Sequence, residues 1–180
     1  SRLARAQEGI IAESGTTANR RALLQEAIEA AGTIVQVREA HQGNAPTVRW
    51  RNSTGEPAPW HELATDRAVL EDLTALQDLD DQALSAWAQH RIKRSDATRV
   101  RTEGRTVDAR NLLRALLIEA PERTGLAPDR LEWIEAEREL ALLQQNLGEP
   151  IDAEIRFRSV ATTYENRLGP EHPTTLDAIN

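Results

Sequence analysis

The stretch Arg167-Leu-Gly-Pro-Glu-His-Pro-Thr-Thr-Leu-Asp-Ala-Ile-Asn180 decides how the rest of the chain is read. Gly169 suits the end of a helix, because glycine takes the positive φ that helix C-termini often require. Pro170 and Pro173 bracket a rigid corner, and Thr174-x-x-Asp177 then opens a new amphipathic helix as a loose capping box. A joint of this kind invites a search upstream for its repeats.

Sliding the sequence by 44 residues finds one. Gly104 aligns with Gly148, Asp108 with Asp152, Ala109 with Ala153, Arg114 with Arg158, Arg123 with Arg167 and Gly125 with Gly169. Spacings of about 40 residues are those of helical repeats, each unit reading as turn, helix, corner, helix. Ala153, Phe157 and Val160 share one helical face, and Ala109, Leu113 and Leu116 copy them one unit earlier. A small residue lets a partner helix come close, and the large residue four later fills the hairpin core. Asp129-x-x-Glu132 after Pro128 reads as a capping box, and Pro150 suits a first helical position, where a missing N–H costs little. The pattern predicts helices near 81–102, 106–123, 129–147, 150–168 and from 174 onward.

The "LGPEHPTTL" corner and the small–large–apolar stripe of the second helix resemble the tetratricopeptide repeats of the kinesin-light-chain type found in bacterial arrays. The resemblance is specific over 128–180, weaker over 104–127, and absent N-terminal to about residue 100. It departs from the family at Gly148-Glu-Pro-Ile-Asp, which is one residue longer than the usual tight turn, and at Thr124-Gly-Leu-Ala-Pro, which lacks the His-Pro pair. It implies an all-α fold of antiparallel helical hairpins stacked as a right-handed solenoid over 81–180, with the last repeat truncated. It also implies a protein- or peptide-binding module within a larger bacterial signalling or regulatory protein, since solenoids present extended concave surfaces to long ligands. A ligand-sensing domain attached to a kinase, nucleotide-binding switch or DNA-binding output domain is the alternative. An array cut within a repeat would expose an apolar end, which makes self-association a further expectation.

Residues 1–80 read as a less regular helical region. Leu23, Leu24, Ala27, Ile28, Ala31, Ile34 and Val35 form a helical stripe over about 18–40. The β-branched run from Thr33 allows a rival hairpin that pairs Ile34–Arg38 with Thr47–Arg51; the stripe stays in phase through Val35 and favours helix. Gly43, Pro46, Gly55, Pro57 and Pro59 make 43–59 an irregular connection, and helix resumes near Pro59.

Composition narrows the function classes. Leu and Ala dominate a chain with one Phe and one Tyr, which suits packed helices better than sheet. Its 21 Arg against one Lys fit a GC-rich bacterial genome. A net charge of −7 opposes global attraction to nucleic acid or anionic membrane. No cysteine is present, so disulfides, thiolate metal sites and cysteine nucleophiles are excluded. No apolar run approaches the roughly 18 residues of a membrane span, and no signal peptide is visible; cytoplasmic placement is expected, though nothing separates it from the periplasm.

No chemistry-bearing set emerges. His61-Glu62 opens like a zinc-protease helix, but Thr65 stands where a second His is needed. His41, His61, His90 and His172 lack ligand spacing, and His172 reads as a residue that tightens its corner. Asp78, Asp80 and Asp81 crowd a helix start, where they complement its dipole. No phosphate-binding glycine loop occurs. Neither an enzyme nor a cofactor is therefore expected. The sharpest local feature is basic. Between 91 and 114 eight cationic residues face three acidic ones, a local balance of +5. Arg91, Arg94 and Arg101 fall within about 80° on a helix and could grip an acidic partner segment. Trp133 reads as core; Trp50 and Trp60 flank the irregular segment, as a clamp on that loop or as an exposed binding patch.

Overall fold

A computed structural model of the chain describes residues 2–11, 16–42 and 59–179. Among them are eight helices and no strand: α1 (Arg2–Ile11), α2 (Thr17–Gln42), α3 (Pro59–Gln77), α4 (Asp81–Thr102), α5 (Thr106–Thr124), α6 (Leu131–Asn146), α7 (Pro150–Leu168) and α8 (Pro173–Ile179). The helix reading of α2 holds through Gln42, so the first segment of the rival hairpin is helical; its second segment lies outside the described residues.

α4/α5 and α6/α7 form two hairpins, and α8 packs on α7. The 44-residue echo is carried into burial. Ala109, Leu113, Leu116, Ala120 and Thr124 are buried along α5, and their counterparts on α7 are Ala153, Phe157, Val160, Tyr164 and Leu168. All but Phe157 are buried. Gly104, Gly125, Gly148 and Gly169 all have positive φ, one pair at each turn of the echo. Gly125 is left-handed (φ 66°, ψ 6°), as a helix-ending glycine commonly is. Gly169 likewise ends its helix at a positive φ, as expected, but its φ of 96° is joined to an extended ψ of 158°, a region essentially reserved for glycine.

Helix starts are held in three ways. Asp80 caps α4, its carboxylate accepting from the N–H of Ala83 at 2.7 Å. Pro150 begins α7. The expected capping box at Asp129 is not formed: Arg130 stands at the N-cap, without a side-chain cap bond of its own. The carboxylate that accepts from the N–H of Leu131, at 2.8 Å, comes instead from Asp72 on α3. Thr174 is not the cap of α8 either, because the Nδ1 of His172 accepts from its N–H at 3.1 Å.

These contacts show what α3 does. It runs along the edge where α6 and α8 begin and α7 ends. Asp72 meets Arg130 at 3.2 Å and Arg167 at 2.6 Å, and Arg167 also reaches Glu71. Burial pushes the Asp72 carboxyl up, while the Leu131 N–H and the two guanidiniums pull it back. At the far end of α3, the Nε2 of His172 lies 3.1 Å from the carbonyl of His61 and 3.0 Å from the Thr65 hydroxyl. Since Nδ1 accepts from Thr174, the proton sits on Nε2, which donates into α3. α2 backs α3 through Arg38 to Glu62 and Asp66 and through Arg67 to Glu39.

One core cluster spans Ile10, Leu24, Leu73, Leu84, Trp87, Leu116 and Trp133, drawing on six helices from both sides of residue 80. Buried Arg20 ties α1 to α4, donating to the Ile10 carbonyl and the Ser85 hydroxyl. Trp133 is core, as its sequence position implied.

Candidate functional site

The three arginines singled out from sequence lie on one face of α4 and look at α6. Arg91 approaches Glu132 at 3.6 Å, Arg94 approaches Glu135 at 3.2 Å and Glu139 at 3.8 Å, and Arg101 approaches Glu139 at 3.7 Å. Thr98 completes the row with a hydroxyl bond to Glu139 at 3.1 Å. Spacings of three and four on each helix put like charges on one face, so the cationic row of α4 meets an anionic row on α6. An acidic ligand at these guanidiniums must compete with Glu132, Glu135 and Glu139. The signal for those glutamates was in the sequence: 91, 94, 98 and 132, 135, 139 share the same intervals.

Glu132 is the singular member. Read from sequence as half of a capping box, it is buried beneath α4. It accepts from the indole N–H of Trp87 at 2.8 Å, and Arg91 stacks over that indole at 5.8 Å from the ring centre. Burial pushes the Glu132 carboxyl up to about 7, against the pull of Arg91, Arg94 and the Trp87 N–H and with a push from Glu135.

The tryptophans of the irregular segment contribute no described surface. Trp60 is the second residue of α3, and Trp50 lies outside the described residues. His61 and His172 meet edge to face at 5.4 Å, and His61 is held below the usual histidine range by burial and then by His172, against Glu171. His90 is fully buried at the position that Ile134 occupies one unit later. Neither of its ring nitrogens has a hydrogen-bond partner among the described residues, and it packs edge to face on Trp133. Burial, then Lys93 and Arg123, lower its pKa, against the pull of Glu119. No group of three or more metal-ligating side chains occurs among the described residues, and no described helix is long and apolar enough to cross a membrane.

One concavity was not anticipated. α6, α7 and α8 enclose an open groove of about 800 Å³. Leu142, Ala153, Phe157, Ala161, Ala178 and Ile179 supply its apolar surface, and Arg138, Arg158, Glu154, Glu165 and Asp177 its rim. Phe157 was expected to fill the hairpin core. It is only half-buried and forms the groove wall, whereas its counterpart Leu113 is covered by Leu140 and Leu143. The stripe that announced Phe157 marks a face for packing, but not whether that face is occupied.

Comparisons of the chain with protein-family models, with curated proteins and with solved structures return no match.

Proposed function

We propose that this chain is a tetratricopeptide-like helical-repeat module that holds a segment of another protein, as part of a signalling or regulatory assembly. The observation that supports this reading most is the 44-residue echo carried into two helical hairpins of matching burial, beside which Phe157 lines a groove. The first unit buries the same stripe completely, with Ala109 and Leu113 at 0 % exposure, whereas the second leaves Phe157 reachable and is flanked by Leu142 at 38 % and Ile179 at 61 %. A contiguous apolar surface with a mixed-charge rim is what a protein-binding site requires, with aromatic anchors near its centre. The paired arginines of α4 play a second part here. They hold α4 against α6, and Arg101, 46 % exposed, is the most exposed of the three.

Selection from a displayed random-peptide library on the immobilised chain tests the reading, with Phe157→Glu protein as the counter-screen. Enriched peptides that bind the wild type and not the variant support it. Failure to enrich any peptide against the wild type, or enrichment indifferent to Phe157→Glu, overturns it.

A further inference from the structure

The cap that Asp72 supplies to α6 leaves Asp129 without that role. The Asp129 carboxylate is exposed and has no ion pair or hydrogen bond among the described residues. It stands on the rim of a cleft of about 220 Å³ between α5, α6 and α7, each described from its first residue to its last. Leu117, Pro121, Pro128 and Trp133 supply the apolar lining, and Asp129, Glu137, Ser159 and Thr163 the polar one. None of these residues lines the groove beside Phe157, so the two concavities are separate.

The polar lining is rich in acceptors and poor in donors. The Thr163 hydroxyl donates to the Ser159 carbonyl at 2.8 Å and the Ser159 hydroxyl to Glu137 at 3.4 Å, so both oxygens offer lone pairs rather than protons. Asp129 and Glu137 add two carboxylates. Arg156 approaches Glu137 at 3.5 Å, but its Nε–H already goes to Gln144 at 2.9 Å. Pro121 and Pro128 have no N–H to offer. Trp133, 3 % exposed, brings an indole whose Nε1–H has no hydrogen-bond partner among the described residues, although buried indoles usually find one. An electron-rich ring beside carboxylates and hydroxyl acceptors is what recognises an organic cation.

We propose that this cleft binds an alkylammonium group, its nitrogen facing Asp129 and Glu137 and its aliphatic stem lying along Leu117, Pro121 and Trp133. Acceptors on α7 as well as on α6 suit the three donors of an ammonium, whereas a planar guanidinium matches a single carboxylate edge. The volume lies below the roughly 300–1,000 Å³ of clefts that hold drug-sized ligands, so the occupant is the size of one lysine side chain or a short free amine. A net charge of −7 draws cations towards the chain. The pairing of acid and indole occurs once in the repeats. Ser85 and Gln89 stand 44 residues before Asp129 and Trp133, and Pro173 and Asp177 stand 44 residues after them. One ligand per chain is therefore expected.

Titration followed at the Trp133 indole cross-peak in proton–nitrogen NMR spectra tests the proposal. The probes are n-butylammonium chloride, Nα-acetyl-lysine methylamide and, as the neutral control, n-butanol, all at one ionic strength. The proteins are the wild type, Asp129→Asn and Asp78→Asn, the last an exposed acid outside the cleft. Both ammonium probes should shift the cross-peak saturably in the millimolar range, and n-butanol should not. Asp129→Asn should weaken that binding roughly tenfold, as loss of a charged partner does, and Asp78→Asn should leave it unchanged. Should Asp129→Asn lose helical circular dichroism, Ser159→Ala, at an exposed position of α7, replaces it. Tighter binding of the lysine derivative than of butylammonium assigns the site to a protein side chain, and the reverse order assigns it to a free amine. No saturable shift with either ammonium, an equal response to n-butanol, or binding indifferent to the cleft variant overturns the proposal. None of these outcomes bears on the groove beside Phe157, whose test is separate.

Discussion

Glu132→Gln isolates the effect of placing an ionisable group between α4 and α6. A carboxyl whose folded pKa lies above its unfolded 4.5 holds its proton more tightly in the folded chain. Its stabilising contribution is therefore complete below pH 4.5 and is lost as pH climbs through about 7. A rise of that size corresponds to roughly 3 kcal/mol in total, most of which is lost between pH 5 and pH 8. The Glu132 side chain is 11 % exposed, so solvent screening does little to erode the figure. Glutamine keeps an oxygen to accept from the Trp87 indole and cannot ionise. Urea unfolding of wild type and Glu132→Gln at pH 5 and pH 8 gives four stabilities. The wild type should fall relative to the variant by about 2–3 kcal/mol between the two pH values. Asp66 and Asp72, raised by burial, push in the same direction, and His61 and His90, lowered by burial, in the opposite one. All four are common to both proteins and cancel in the difference. A difference equal at pH 5 and pH 8 would refute the assignment of Glu132 as a buried, proton-retaining group.

Other substitutions address the rest of the frame. Asp72→Ala removes the cap of α6 and leaves Arg130 and Arg167, 24 % and 12 % exposed, without their shared carboxylate; a loss of roughly 2–4 kcal/mol is expected by urea unfolding. His90→Leu should raise stability by about 1–2 kcal/mol, since it replaces a buried ring that has no hydrogen-bond partner. The depressed histidine stabilises above its unfolded value of 6.5 and ceases to do so as pH falls, so the advantage of Leu should widen from pH 8 to pH 5. Gly169→Ala should cost about 1–3 kcal/mol through its backbone conformation, because open space surrounds the added methyl. Phe157→Ala should cost about 1–2 kcal/mol by thermal melting, well below the roughly 3–5 kcal/mol of a fully buried ring.

Local structure was largely legible in the sequence because its determinants are local. Periodicity and the glycine–proline corners gave α4 and α7 their full extents and α5, α6 and α8 to within two residues. The burial echo from Ala109 to Leu168 follows from the same stripe. Three features needed the third dimension. Asp129-x-x-Glu132 satisfies a local capping rule, yet Asp72 from α3 is geometrically better placed and frees Glu132 to be buried under Trp87. Arg91, Arg94 and Arg101 were visible as a cluster, but their partners lie on the next helix in the stack. Phe157 carries the same signal whether or not another helix covers it, so its exposure could not be read from spacing.

The way α3 is tied to the far end of the chain bears on how the molecule comes apart. Stacks of hairpins that touch only their neighbours melt piecemeal, terminal units fraying first, because each unit's stability depends on one or two interfaces. Here Asp72 binds residues 59 and 95 positions later, and the His61 carbonyl meets an imidazole 111 positions later. Those bonds close long loops, whose entropy must be overcome before any of them forms, which slows folding and raises cooperativity. Opening α8 or α7 exposes α3, and with α3 goes the start of α6. These ties predict that the described helices unfold together rather than hairpin by hairpin, an outcome that native-state hydrogen exchange checks.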